Sequence, residues 1–139
     1  MIIGLAGGKG SGKSTAGKII NNLFGFEVIS FAKPIKDMLR VLGLGDAELN
    51  DPVYKEIPLD EYGKSPRQLC QSLGTDWGRM LVSGDVWIQA LANQLDPEKD
   101  YVIDDVRFDN EASFIKDRKG SVIEVQRAVS YTHLRAHET

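Results

Sequence analysis

Apolar residues along this chain keep two rhythms, and the switches between them outline the fold. Ile2, Ile3, Leu5 and Ala6 form a short run with β-branched members, which predicts a strand over 2–6. Ala16, Ile19, Ile20, Leu23 and Phe24 recur at helical spacing, so a helix is expected over 15–24. Residues 26–30 (FEVIS) predict a second strand. Residues 34–42 predict a helix, with Pro34 at its first position and Gly43 beyond its end. The stretch 44–64 is polar and broken by Gly45, Pro52, Pro58 and Gly63, which predicts a long loop or a mobile insertion. A helix over 65–74 is then expected, with Ser65 as cap, Pro66 at its first position and Gly74 as its stop. Leu69, Cys70 and Leu73 would face a core there, while Arg67 and Gln71 share another face. Further helices are expected over 77–81 and from Asp85, the latter with a stripe of Ile88, Leu91, Ala92 and Leu95. Trp77 and Trp87 read as packing residues, with a base-pocket role open for Trp77. A third strand over 101–105 ends in two carboxylates, a helix over 110–119 ends at Gly120, and a fourth strand covers 121–126.

Strands separated by helices predict an α/β fold, a parallel sheet flanked by helices with right-handed crossovers. Ligands of such sheets sit at the carboxyl ends of strands. The loop after the first strand, Ser30, Asp104, Asp105 and Arg127 all fall there.

Composition narrows the class. A chain of 139 residues suits one domain, and a net charge of −3 argues against nucleic-acid binding through bulk charge. No apolar run approaches a membrane span, and the chain enters its first strand directly, so no membrane partner and no signal peptide are expected. The single cysteine, Cys70, excludes an internal disulfide and reads as a buried small hydrophobe. These features point to a soluble protein of a reducing compartment, the cytoplasm.

The end of the chain is unusual. Residues 129–139 (VSYTHLRAHET) resemble, residue for residue, the translation of a common transposase sequencing adapter. They are expected to be a non-native tail, excluded from the fold. A domain over 1–128 would then be incomplete at its C-terminus. Both histidines, His133 and His137, lie in that tail, which leaves the remainder without one.

The stretch GGKGSGKST, residues 7–15, carries the clearest chemistry. Gly7, Gly12, Lys13 and Ser14 fill the pattern G-x-x-x-x-G-K-[ST] between a predicted strand and a predicted helix. Glycines, Gly10 included, let backbone N–H groups turn around a phosphate, and the helix N-terminus adds partial positive charge. In a P-loop NTPase fold this predicts ATP binding by Gly7, Gly10, Gly12, Lys13, Ser14 and Thr15. Lys13 would reach the β- and γ-phosphates, and Ser14 would meet Mg²⁺. An apolar strand ending in acid suits the second Mg²⁺ contact, for which Asp104 and Asp105 are both candidates. Arg107 follows, a planar fork suited to phosphate, with a salt bridge to Asp109 or Glu111 as the alternative.

Four segments carry a more particular likeness: residues 7–15, 31–37 (FAKPIKD), 67–76 (RQLCQSLGTD) and 102–108 (VIDDVRF) with Asn110, Glu111 and Ala112. Together they resemble the deoxynucleoside monophosphate kinases of tailed bacteriophages, within the wider P-loop nucleoside monophosphate kinase group. The resemblance implies ATP-dependent conversion of a deoxynucleoside monophosphate to its diphosphate, in host cytoplasm if a phage encodes the chain. It implies that Lys33, Arg67, Gln71 and Arg107 grip the acceptor, and that Lys13, Asp105 and Arg107 act in catalysis. A homodimer is compatible with it. The family continues beyond the fourth strand with a His-containing segment, a strand and a helix that this sequence lacks. No arginine-rich lid is evident, which leaves Arg79, Arg118 and Lys119 as candidates for clamping phosphate.

A missing histidine suits this chemistry, because a phosphate monoester has a second pKa of about 6 and needs no base. Two alternatives stay open. One is a P-loop kinase of another small acceptor such as dephospho-coenzyme A, whose relatives carry an acid after the second strand where this chain reads Ser30-Phe31-Ala32. The other is a non-catalytic nucleotide-binding protein.

Overall fold

A computed structural model describes residues 1–127; the predicted tail and both histidines lie outside the described residues. In chain order the elements are β1 (Ile2–Ala6), α1 (Lys13–Phe24), β2 (Glu27–Ile29), α2 (Lys33–Val41), α3 (Asp46–Asn50), a 3₁₀ turn (Tyr54–Glu56), α4 (Pro66–Gln71), a π-helical segment (Ser72–Val82), α5 (Val86–Ala92), β3 (Tyr101–Val106), α6 (Asp109–Asp117) and β4 (Ser121–Glu124). They form two compact units. Among the described residues one comprises Met1–Val28 and 100–127, and the other Ile29–Lys99.

The first unit carries the sheet, in the order β2-β3-β1-β4. β1 is central and pairs in parallel with both β3 and β4. Its neighbours explain its sequence: Leu5, Val102 and Ile103 are almost fully buried, as apolar strands inside a parallel sheet must be. From β1 the chain travels beyond β3 to the edge; from β3 it returns past β1 to the opposite edge. Right-handed crossovers in opposite directions put α1 and α6 on opposite faces. Packing agrees. A Cβ built on Gly17 of α1 would lie 3.9 Å from Leu5, whereas one built on Gly4 would lie 2.5 Å from Ile115 of α6. Connections that diverge in this way open a crevice at the carboxyl ends of β1 and β3.

The second unit is helical. Ile35, Leu39, Leu44, Leu49 and Trp87 form its core, with Leu69, Cys70 and Leu73 packed against them. The stretch expected to be one long loop holds α3 and the 3₁₀ turn instead. Leu44 and Leu49 anchor it in the core, and Glu48 Oε1 accepts from the Gly45 N–H at 2.8 Å. Gly74 does not stop the preceding helix. The chain continues as a π-helical segment through Val82, absorbing the separate helix expected over 77–81. Its glycines serve packing against Trp87. The indole N–H donates to the Gly74 carbonyl at 2.7 Å, and a Cβ on Gly78 would lie 2.6 Å from the indole nitrogen. Among the described residues no helix is long and apolar enough to cross a membrane.

Cys70 is half-buried, and burial pushes its thiol above the ordinary cysteine value, against a lowering pull from Lys36, Lys55 and Arg67. At neutral pH it should therefore be protonated and slow to react. Iodoacetamide should modify it more slowly in the native protein than in urea. Equal rates would contradict a packing role.

Candidate functional site

The loop joining β1 to α1 is built from left-handed backbone. Gly7, Gly10 and Gly12 have φ of 145°, 77° and 101°. At Gly7 space is also closed, because a Cβ there would sit 2.5 Å from the Val125 carbonyl oxygen. A side chain at that position would strain the turn and collide with backbone. Gly12 is the cap of α1 and offers no side chain, and the first turn contains no acid. The leading N–H groups of a 12-residue helix are thus left for an external acceptor, beside the partial positive charge of the helix N-terminus. Lys13, Ser14 and Thr15 occupy that turn, and Lys13 makes no ion pair among the described residues.

β3 approaches the same helix through a local irregularity. Its register with β1 steps from Gly4↔Ile103 to Ala6↔Val106, so Asp104 and Asp105 together lie opposite Leu5. Two residues of β3 thus oppose one of β1, and the strand bends locally at the acid pair. Asp104 lies under α1, with its Cβ 3.7 Å from the point where a Cβ on Gly17 would be, one turn beyond Ser14. Both acids are partly buried. Among the described residues no three His, Cys, Asp or Glu side chains form a metal cage. The donor set still suits magnesium, which keeps several waters and takes one or two carboxylates plus substrate phosphate.

Arg107 leaves the end of β3 exposed. The expected alternative, a salt bridge from its side chain to Asp109 or Glu111, is not made among the described residues. Glu111 engages its backbone instead: Oε1 accepts from the Arg107 N–H at 2.8 Å and the Phe108 N–H at 3.0 Å. The sequence concealed this contact. A capping box is recognised by Ser or Thr three residues before the acid, and here Phe108 holds that place.

The other predicted binding residues belong to the second unit. Arg67 and Gln71, one turn apart on the run begun by α4, line one open groove of about 340 Å³ with Lys64, Gln68 and Ser72. Every lining side chain can hydrogen-bond, and two are cationic, so the groove suits a polar anion. α4 holds Arg67 in register through a full capping box: Gln68 N–H donates to Ser65 Oγ at 3.2 Å, and Ser65 N–H donates to Gln68 Oε1 at 2.9 Å. Arg67 Nε donates to Glu56 Oε1 of the 3₁₀ turn, an ion pair the loop expectation missed. Lys33 stands apart from the groove lining. Its Nζ donates to Asp37 at 2.7 Å and to Gln94 at 3.2 Å. Of the residues considered for clamping phosphate, Arg118 lies over the Phe114 ring, 4.4 Å from its centroid.

A protein of Acanthamoeba polyphaga mimivirus named "Putative deoxynucleotide monophosphate kinase" is 36% identical to this chain over 144 residues, spanning 91% of the chain and 74% of the relative. The chain matches no protein-family profile.

Proposed function

The chain belongs to the deoxynucleotide monophosphate kinase family, and from that premise we propose that it transfers the γ-phosphoryl group of ATP to a deoxynucleoside monophosphate. The observation that most supports a phosphate donor is the uncapped, acid-free first turn of α1 behind three left-handed glycines. Gly7, Gly10, Gly12, Lys13, Ser14 and Thr15 receive the ATP phosphates in this scheme. Lys64, Arg67 and Gln71 supply charge and hydrogen bonds for the acceptor, with Lys33 and Arg107.

An oxygen of the acceptor phosphate attacks the γ-phosphorus. The bond from that phosphorus to the β–γ bridging oxygen breaks, and ADP leaves with the electron pair. The attacking oxygen is anionic at neutral pH, so no side chain takes a proton from it. Catalysis consists of alignment and compensation of negative charge. Lys13 and the α1 amides face the β- and γ-phosphates, and Arg107 adds a fixed fork to the transferring group. Ser14 and Asp104, with Asp105 beside them, would hold magnesium, which neutralises phosphate charge when bound.

Arg67→Ala and Arg107→Ala should lower kcat/KM for the acceptor while leaving ATP affinity near normal. Arg67→Ala should act mainly on KM. Arg107→Ala should act mainly on kcat, by about 10²-fold or more, as for loss of other preorganised charge donors. A loss of ATP binding alone would remove either residue from the acceptor role. The proposal itself is tested by ADP release from ATP and Mg²⁺ with each of the four deoxynucleoside monophosphates and with dephospho-coenzyme A. Turnover with at least one deoxynucleotide supports it. Turnover only with the coenzyme precursor, or ATP binding without turnover, contradicts it.

A further inference from the structure

Glu111 is a carboxylate with only 4% exposure, standing in the first turn of α6. Burying an anion is costly unless hydrogen bonds replace its water. Here one oxygen accepts two backbone N–H groups, and the helix N-terminus adds favourable charge. An acid at this helical position commonly reaches back to the cap residue, which accounts for the bond to Phe108. The shorter bond, 2.8 Å, goes one residue further back, to Arg107, outside the helix. It ties α6 to the first residue after β3, where an exposed arginine leaves the sheet.

We propose that Glu111 is a positioning residue for phosphoryl transfer, fixing the Arg107 backbone and thereby the direction in which its guanidinium leaves β3. The inference rests on the reading of Arg107 as a phosphate-gripping residue. Arginine's fork acts only when its planar donors meet the phosphate oxygens squarely, and its long side chain magnifies any rotation at the backbone. A misplacement of about 1 Å at a reacting group can cost about 10²-fold in rate. Plain helix capping by Glu111 would affect folding stability and leave the chemistry of the folded protein alone.

The experiment is a kinetic cycle on the full chain with Glu111→Ala, Arg107→Ala and the double variant. Each is assayed for acceptor kcat/KM, ATP affinity and thermal midpoint, at a temperature where all are folded. Glu111→Ala should lower acceptor kcat/KM by about 10- to 10²-fold, leave ATP affinity unchanged, and cost nothing further in the Arg107→Ala background. Glu111→Gln, which keeps a carbonyl acceptor, should recover most of the loss. Should the alanine variant not fold, Glu111→Asp takes its place, because it keeps the charge at the helix N-terminus but withdraws the oxygen by one methylene. A lowered thermal midpoint with unchanged acceptor kcat/KM would overturn the proposal, as would losses that simply add in the double variant. If Arg107→Ala itself leaves the acceptor term unchanged, the phosphate-gripping role of Arg107 fails and this inference with it. If Arg107→Ala is harmful and Glu111→Ala is not, only the inference fails.

Discussion

Lys13→Ala should abolish phosphoryl transfer while leaving the protein folded. Lys13 stands in the first turn of α1, partly exposed, and pairs with no acid among the described residues. Its removal takes nothing from either core, so the folding free energy should change by no more than about 0.5 kcal/mol, as for most surface substitutions. Its charge is needed where negative charge moves from the γ-phosphate towards the leaving β-phosphate. Loss of one such preorganised donor costs about 10²- to 10³-fold, and loss of a full cation belongs at the upper end or beyond. Steady-state turnover read beside a thermal melt checks both halves. Near-normal turnover would remove Lys13 from the mechanism. A collapsed melt would show that it is structural.

Asp104→Asn should be the second most damaging change, and clearly worse than Asp105→Asn. The register step in β3 puts both acids opposite Leu5, and the Asp104 Cβ lies 3.7 Å from where a Cβ on Gly17 of α1 would be, one turn beyond Ser14. If magnesium lies between the helix start and the sheet, Asp104 is in reach of it or of its waters. Loss of that carboxylate removes part of a charge effect worth several kcal/mol, which is about 10²-fold or more in kcat. The defect should shrink as Mg²⁺ is raised, because binding is weakened rather than abolished. Magnesium titrations of the two variants decide the assignment. A larger, magnesium-dependent loss in Asp105→Asn would reverse it.

Much of the first unit was legible in the sequence because its information is local. Strand, glycine turn and helix follow one another within 24 residues, and the positions that demand glycine are adjacent to the lysine they serve. The acid pair after Tyr101-Val102-Ile103 was equally plain. The register step that sets both acids opposite Leu5 was not, since it depends on pairing between strands roughly a hundred residues apart. In the second unit, local signals misled. Gly74 carries the ordinary mark of a helix end, yet it lies against Trp87, 13 residues on, and the helix widens past it. α3 is too short for any period to emerge, and two buried leucines hold it. The pairing of Arg67 with Gln71 was readable from their spacing, whereas Glu56 and Glu111 were not. Glu56 accepts from the Arg67 side chain and Glu111 from the Arg107 backbone N–H, and the spacing announces neither bond.

The central claim, that this chain moves the γ-phosphoryl group of ATP onto a deoxynucleoside monophosphate, is tested most directly by following the label itself. The protein is incubated with Mg²⁺, ATP carrying ³²P at the γ-position and one deoxynucleoside monophosphate at a time, and the products are separated. Label is expected in the β-position of the deoxynucleoside diphosphate, with unlabelled ADP formed in equal amount and no transfer by the Lys13→Ala variant. Label released only as inorganic phosphate, or retained in ATP with every deoxynucleotide offered, would contradict it.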